Sequence, residues 1–158
     1  MITRLKSISN DALDYDYAGC FDEKYAISFV TNQDVKIRGI SLHSIHIWGG
    51  THTLTGTIQL LDSAEKIVYS QVFSYNTDST PQYVDQFFAD PPQITANEEY
   101  IITLTYDSCY LIWYSENPEN PVDSTCSGKS VRFTFNHHEL SSFSILTQGQ
   151  IPRIFFAC

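Results

Sequence analysis

Apolar and polar residues alternate along several short segments of the chain, which is the pattern of β-strands with one buried face. In residues 130–135, Val131, Phe133 and Phe135 occupy one face, and the residues between them are polar. In residues 100–106, every second residue is a large apolar one. Strands with such a broad apolar face bury it against a second sheet.

Nine segments have a strand pattern or a β-branched and aromatic composition, and none has the period of a helix. They are residues 25–30, 35–42, 54–61, 67–73, 83–88, 100–106, 110–114, 130–135 and 151–156. Gly, Pro, Asn and Asp separate them, as turns require. The longest break, residues 115–128, is acidic and is predicted to be a surface loop. The sequence predicts an all-β fold, an antiparallel β-sandwich of the Greek-key or jelly-roll kind.

Composition agrees with a single folded domain. The chain has 158 residues, of which 42% are apolar, 17% charged and 14% aromatic. This balance is too apolar for a disordered segment, and the aromatic content favours strands. We expect one domain over residues 1–158, monomeric when isolated.

Net charge excludes some classes of partner. The chain carries nine basic and eighteen acidic residues, a net charge of −9, and no segment concentrates Lys and Arg. Binding to nucleic acid or to an anionic membrane surface needs a basic patch, so neither is expected. No long apolar run or secretory signal is present, and we expect a cytoplasmic protein with no membrane insertion.

The four cysteines are Cys20, Cys109, Cys126 and Cys158, with no Cys-x-x-Cys pair. In a secreted protein they would form two disulfides in one of three pairings. In a cytoplasmic protein they are buried free thiols, which we expect here. The absence of any Asn-x-Ser/Thr site agrees with an intracellular chain.

The motifs of common enzymes are not apparent. His43 and His46 lie three positions apart and would point to opposite faces of a strand, so we expect no metal site from them or from His52. No Gly-x-Ser-x-Gly segment or cysteine in a basic context occurs. Asp14, Asp16 and Asp22 are interpreted as solvated turn residues rather than calcium ligands. We expect no enzyme activity and no cofactor.

Aromatic residues at strand ends are the remaining candidates for a site. Trp48 stands beside Gly49, and Trp113 and Tyr114 stand beside the acidic segment. Trp and Tyr at loop ends often anchor binding surfaces, although they can also cap a core. A carbohydrate-binding sandwich would use the same aromatics and is the alternative function.

Several motifs, in order along the chain, resemble the PHR domain family. Residues 15–19 (Tyr-Asp-Tyr-Ala-Gly), 25–30 (Tyr-Ala-Ile-Ser-Phe-Val) and 35–42 (Val-Lys-Ile-Arg-Gly-Ile-Ser-Leu) are similar to its opening. Residues 126–133 (Cys-Ser-Gly-Lys-Ser-Val-Arg-Phe) are similar to its Cys-Gly-Lys segment. Residues 149–156 (Gly-Gln-Ile-Pro-Arg-Ile-Phe-Phe) are similar to its Gly-Gln-Ile-Pro end, the most specific of these motifs.

The resemblance implies a sandwich of about ten or eleven strands that binds a protein partner without catalysis. Such domains occur in RING-type ubiquitin ligases and in BTB-domain adaptors of cullin ligases. We expect the loops at one end of the sandwich to bind the partner, and the acidic segment 116–123 to favour a basic one. The residues expected to contact it are Trp48, Gly49, Tyr75, Asp107, Trp113, Tyr114, Glu116 and Asp123.

Overall fold

The computed structural model describes residues 1–3, 13–18, 24–44, 51–77, 82–107, 110–116, 120–140, 148–149 and 151–158; for 13–18, 110–116 and 148–149 it describes the backbone. The described residues form fourteen β-strands and no helix. The strands are β1 (Ile2–Thr3), β2 (Leu13–Ala18), β3 (Tyr25–Thr31), β4 (Val35–His43), β5 (His52–Asp62), β6 (Ile67–Thr77), β7 (Tyr83–Phe87), β8 (Gln93–Ile94), β9 (Glu99–Tyr106), β10 (Tyr110–Glu116), β11 (Val122–Cys126), β12 (Lys129–His137), β13 (Gln148–Gly149) and β14 (Arg153–Ala157). Among these residues there is accordingly no helix long and apolar enough to span a membrane.

All nine predicted strands are confirmed, with ends that differ by at most four residues. The other strands are β1, β2, β8, β11 and β13, and three of these have only two residues. Eleven longer strands therefore remain, which agrees with the ten or eleven that the family resemblance implies. The all-β sandwich is confirmed.

The prediction of a surface loop over residues 115–128 is wrong for β11. This strand pairs with β12, from Val122 opposite Phe133 to Cys126 opposite Lys129. Its sequence, Val-Asp-Ser-Thr-Cys, is mostly polar because the strand lies at the edge of its sheet and buries little besides Val122. An edge strand of this kind lacks the strong apolar alternation that identifies a central one.

The strands form three antiparallel sheets. The largest has the order β11-β12-β3-β9-β5-β6, and we call it the six-stranded sheet. The five-stranded sheet has the order β1-β14-β4-β7, with β8 also paired to β4. A third sheet has the order β13-β10-β2. The first two sheets pack face to face, since Phe133 of β12 contacts Phe156 of β14 with ring centroids 5.1 Å apart.

The core between these two sheets is rich in stacked aromatic rings. Phe29 of β3 contacts Phe133 and Phe135, with ring centroids 5.9 and 6.4 Å away. Val131, Phe133 and Phe135 are buried, as their alternation predicts. The predicted face of β9 is also buried, and it consists of Tyr100, Ile102, Leu104 and Tyr106. Burial of this much aromatic surface is the main source of the fold's stability.

The outer face of the six-stranded sheet is also partly buried. Ala26, Ile101 and Leu61 form a second, smaller cluster there, and Leu140 packs against it. Leu140 follows β12, so the chain after this strand turns back over the sheet. This cover explains why Thr103, on the outer face of β9, is fully buried.

The turns at one end of the sandwich are short, and we call this the turn end (residues 32–34, 63–66, 95–98 and 127–128). A carboxylate closes two of these turns. The Asp62 Oδ1 atom accepts hydrogen bonds from the amides of Ala64 and Lys66, at 2.9 and 3.0 Å. The Asp34 Oδ1 atom accepts one from the amide of Ala96 at 2.8 Å, which joins two turns to each other. Asp is favoured in turns for this reason.

The prediction of free thiols is wrong for Cys126 and Cys158. These two cysteines form a disulfide at the turn end, and their Cα atoms are 6.0 Å apart, an ordinary separation for a disulfide. Cys126 ends β11 and Cys158 follows β14, so two strand ends that are 32 residues apart meet in the fold. Sequence spacing alone gives no sign of this meeting. Cys20 and Cys109 lie outside the described residues.

Candidate interaction surface

Four connections leave the sandwich at the end opposite the turns, and three of them are longer than any of those turns. We call this the loop end (the connections that follow His43, Thr77, Tyr106 and His137). The strand register places them together, because His43 pairs with Tyr83 and Thr77 pairs with His52. The hydroxyl of Tyr75 donates a hydrogen bond to the carbonyl of His43 at 3.3 Å, which joins β6 of one sheet to β4 of the other.

Hydrogen bonds fasten the bases of two loops to each other at the loop end. The amide of Ser44 donates to the carbonyl of Gln82 at 2.9 Å, and the amide of Gln82 donates to the Oγ atom of Ser44 at 3.0 Å. The Nε2 atom of Gln82 donates to the Oγ1 atom of Thr77 at 3.1 Å. Ser44, Thr77 and Gln82 are therefore held together as a rigid base. Loops on such a base are the usual place for recognition residues.

A buried histidine lies directly below these loops. The ring of His43 is fully buried and packs on the ring of Tyr83, with centroids 5.3 Å apart. Burial lowers the pKa of His43 to about 3, and the positive charge of Arg153 lowers this pKa further in the same direction. His43 is therefore neutral at physiological pH, and it is a buried polar residue on the face of β4 opposite to the core residues Ile40 and Leu42.

The guanidinium of Arg153 also contacts the ring of Tyr83. Its central carbon is 4.0 Å from the ring centroid of Tyr83, a cation–π contact. Burial raises the pKa of Tyr83, while the charge of Arg153 acts against that rise. The Nε atom of Arg153 is buried and has no hydrogen-bond partner among the described residues. The aromatic ring thus holds a cation in a domain that is otherwise strongly acidic.

Two of the residues that the sequence predicts for the partner surface lie at the loop end. Tyr75 is half-buried and braces the two sheets through its hydroxyl group. Asp107 is exposed, and its amide donates to the carbonyl of Thr55 at 3.0 Å, so its position just after β9 is fixed. Trp48 and Gly49 belong to the connection that starts after Ser44, and both lie outside the described residues.

Three other predicted residues lie on a strand rather than in a loop. Trp113, Tyr114 and Glu116 belong to β10, which begins just beyond Asp107. Trp113 pairs with Tyr15, so β2 and β10 together carry aromatic residues at this level of the third sheet. The description of β10 is limited to its backbone, and the binding role of these three residues stays a prediction.

Asp123 is separated from the rest of the predicted set. It lies on β11 at one edge of the six-stranded sheet, whereas Tyr75 lies on β6 at the opposite edge. Both carboxylate oxygens of Asp123 accept hydrogen bonds from Arg132, at 2.7 and 3.0 Å. These hydrogen bonds lower the pKa of the Asp123 carboxyl group. Asp123 is therefore paired with a cation of the neighbouring strand, and its role in binding a partner stays a prediction.

Sequence reasoning missed the cluster of His43, Tyr83 and Arg153. His43 was considered only as a metal ligand, and its burial depends on cover from distant parts of the chain. Arg153 lies inside the Gly-Gln-Ile-Pro-Arg segment, which carried the family resemblance but no predicted role. The alternation of Tyr83, Asp85 and Phe87 along β7 was the available signal, because it places three functional side chains on one face.

The turn end carries a pocket of about 430 Å³, lined by Gln33, Asp34, Ala96, Lys129 and Cys158. One oxygen of its carboxylate, Oδ1 of Asp34, already accepts the hydrogen bond from Ala96. Among the described residues, no group of three or more His, Cys, Asp or Glu side chains is placed to hold a metal ion. The loop end is therefore the better candidate surface for recognition.

Comparison with known proteins identifies one family. The family model of the PHR domain matches residues 9–157, nearly the whole chain. The match includes all the strands of the two facing sheets except β1, and all the residues predicted to contact a partner. No curated protein matches the chain significantly.

Proposed function

Because the chain belongs to the PHR domain family, a family of protein-interaction domains, we propose that it is a non-catalytic module that binds a protein partner in ubiquitin ligation. It would act either within a RING-type ligase or as part of a BTB-domain adaptor of a cullin ligase. The family match over residues 9–157 is the observation that carries this proposal.

The geometry of the loop end supports recognition there. Three hydrogen bonds fix the bases of the segments 45–50 and 78–81, and Tyr75 braces the two sheets beneath them. A rigid base lowers the entropy lost when loops bind a partner. Asp107 adds an exposed carboxylate at the same end.

The charge of the chain supports a basic partner segment at the loop end. A net charge of −9 attracts a positively charged segment from a distance and speeds its association. This long-range attraction depends on the whole chain and weakens as salt is raised. We expect aromatic residues, Trp48 and Trp113 above all, to supply the short-range contacts.

A role in ubiquitin ligation implies a cytoplasmic location. In that compartment glutathione and thioredoxin keep most thiols reduced. Cys126 and Cys158 would then be thiols for most of the protein's lifetime, and the disulfide would form on oxidation. Alkylation of accessible thiols in intact cells, followed by mass spectrometry, measures the reduced fraction of this pair and tests the proposed location.

Quantitative capture from a cell lysate tests the proposed function. The wild-type domain and a Trp48→Ala, Trp113→Ala double variant are immobilised at equal density, after both are shown to have the same melting temperature. Captured proteins are identified by mass spectrometry at low and moderate salt. We expect a discrete protein, together with ligase subunits, to be enriched by the wild type and lost with the double variant.

A Val72→Ala variant is the matched control for this experiment. Val72 is 72% exposed on β6 but lies in the middle of the strand, away from the loop end. The Val72→Ala substitution shortens an exposed apolar side chain outside the proposed surface, so the amount of partner captured should be unchanged. Equal capture by the wild type and the double variant would contradict the loop-end surface, and no specific capture at all would contradict the interaction function.

A further inference from the structure

Two phenyl rings form an apolar surface on the outer face of the five-stranded sheet. Phe87 of β7 is 60% exposed, and its ring centroid is 4.9 Å from that of Phe155 on β14. Both residues pair with Gly39 of β4, the strand between them. Because Gly39 has no side chain, the two rings can meet across this central strand.

The strand register fixes this outward position. On β14, Ile154 is buried and Phe156 packs against the core, so the residue between them points outward. On β7, Phe87 directly precedes Phe88, which is buried against Tyr69 of the other sheet. The exposed ring is thus held by regular strand pairing and not by a loop. Aromatic rings held rigidly at a surface are typical binding anchors, because little side-chain entropy is lost on binding.

Basic residues lie on the strands that carry or separate the two rings. Lys36 and Arg38 of β4 are exposed, and Lys36 pairs with Ala157, two residues after Phe155 on the same face. Arg153 precedes Phe155 by two residues. The three strands β4, β7 and β14 carry these three basic side chains and one acidic one, Asp85, whose Oδ1 atom accepts a hydrogen bond from Ser41.

This local charge differs in sign from that of the whole chain. The chain has twice as many acidic as basic residues, yet one third of its basic residues lie on these three strands. Val72, the most exposed of the large apolar residues that the structure describes, lies on a strand with no charged residue at all, residues 67–77. At physiological ionic strength, salt screens charges beyond about 8 Å. The electrostatic interaction of a bound peptide with the nearby basic residues is therefore stronger than its interaction with the distant acidic ones.

We propose that the outer aromatic surface, formed by Phe87, Phe155, Lys36 and Arg38, binds an acidic peptide segment that carries an apolar side chain. The apolar side chain packs on the two rings, and the carboxylates pair with Lys36 and Arg38. A second copy of this chain is a poor occupant, because two copies with a net charge of −9 each repel one another and would bring the same basic residues together. This surface is additional to the loop end proposed above.

Selection from a displayed library of random peptides tests this proposal. We expect the wild-type domain to enrich sequences that combine Asp or Glu with an aromatic or aliphatic residue. The affinity of an enriched peptide is then measured by fluorescence anisotropy. A Phe87→Ser variant should weaken it by about tenfold or more, as loss of an aromatic anchor does. A Lys36→Glu, Arg38→Glu double variant, which keeps both rings, should weaken it as much and reduce its dependence on salt.

Two control variants keep the test specific. Val72→Ser removes an equally exposed apolar side chain elsewhere, and Lys129→Glu reverses a charge at the turn end; both should bind the peptide like the wild type. Enrichment of basic peptides, no enrichment, or binding that Phe87→Ser leaves unchanged would overturn the proposal. Self-association in sedimentation experiments that Phe87→Ser abolishes would identify a second copy as the occupant and would overturn it as well.

Discussion

The two ends of the sandwich are built differently. At the turn end, connections are short, Asp34 and Asp62 close the turns with backbone hydrogen bonds, and a disulfide joins Cys126 to Cys158. At the loop end, three of the four connections are longer, and a buried neutral histidine and a cation held on an aromatic ring lie at their bases. One end is restrained by a disulfide and by hydrogen bonds to turn carboxylates, and the other depends on buried polar groups.

This difference separates stability from recognition. Turn residues whose polar groups already form hydrogen bonds to the backbone have fewer free donors and acceptors for a partner. The loop end has its fixed hydrogen bonds at the base and leaves the loops above for binding. The two ends should therefore respond differently to reduction, to added side-chain volume and to acid.

Loss of the disulfide should have the largest effect on stability. Removing a link between residues 32 positions apart releases entropy in the unfolded chain, and we expect the free energy of unfolding to fall by about 3 to 4 kcal/mol. Urea denaturation of the oxidised domain, the reduced domain and a Cys158→Ser variant measures this. The Cys158→Ser variant should be less stable than the oxidised wild type, and equal stability of these two proteins would contradict the stabilising role.

Substitution of a glycine by alanine tests how much room each end has for an added methyl group. A Cβ atom on Gly56 would lie 2.3 Å from the carbonyl oxygen of Thr105 and 2.6 Å from Phe73. Gly56 pairs with Tyr106, the last residue of β9 at the loop end, and Gly56→Ala should cost about 1 to 3 kcal/mol. Gly128 at the turn end has open space around it but a φ of 78°, so Gly128→Ala should cost about 1 kcal/mol.

Urea denaturation at neutral pH measures both glycine variants. We expect Gly56→Ala to be less stable than Gly128→Ala. At Gly56 the added methyl group meets the backbone of the neighbouring strand, whereas at Gly128 it only makes the backbone conformation of the hairpin less favourable. The reverse order would mean that β5 and β9 separate easily near the loop end, which would contradict the rigid base that we describe there.

Acid should destabilise the loop end through His43. Its pKa is about 3 in the folded chain and about 6.5 in the unfolded one, so between these values only the unfolded chain binds the proton. The free energy of unfolding should therefore fall as pH decreases below 6.5, by about 1.4 kcal/mol per pH unit from this group, and the loss should level off near pH 3.

A His43→Gln variant isolates this contribution. Wild type and variant share all their carboxyl groups, so the difference between their stability curves from pH 7 to pH 4 reports His43 alone. The variant should be less stable at pH 7, yet it should lose less stability on acidification. Parallel curves for the two proteins would contradict a buried neutral histidine at this position.

Much of the fold could be predicted from the sequence because central strands bury one full face. The alternation of Val131, Phe133 and Phe135 and the apolar face of β9 identified strands, faces and the need for a second sheet. Edge elements escaped prediction, since β11 is mostly polar and β1, β8 and β13 are too short to show a period. Strand order and the meeting of Cys126 with Cys158 depend on long-range pairing, which no local pattern encodes.

The candidate site could be predicted only in part. The loop position of Asp107 followed from the turn that ends a clear strand. The separation of Asp123 from Tyr75 did not, because it depends on the order of six strands. The exposure of Phe87 could not be foreseen either, since an aromatic residue in a strand is usually buried, and only its pairing partner Gly39 and the register of β7 turn it outward.

Side chains complete the edge where β6 and β7 approach each other. The Nε2 atom of Gln71 donates to the carbonyl of Phe87 at 3.1 Å, and the hydroxyl of Tyr69 accepts a hydrogen bond from the amide of Ala89 at 3.1 Å. Because these backbone groups already have hydrogen-bond partners, a strand from another protein cannot extend the five-stranded sheet at this point. Natural proteins protect their sheet edges in this way against aggregation. A ligand that binds at Phe87 must therefore be recognised through its side chains rather than by strand addition.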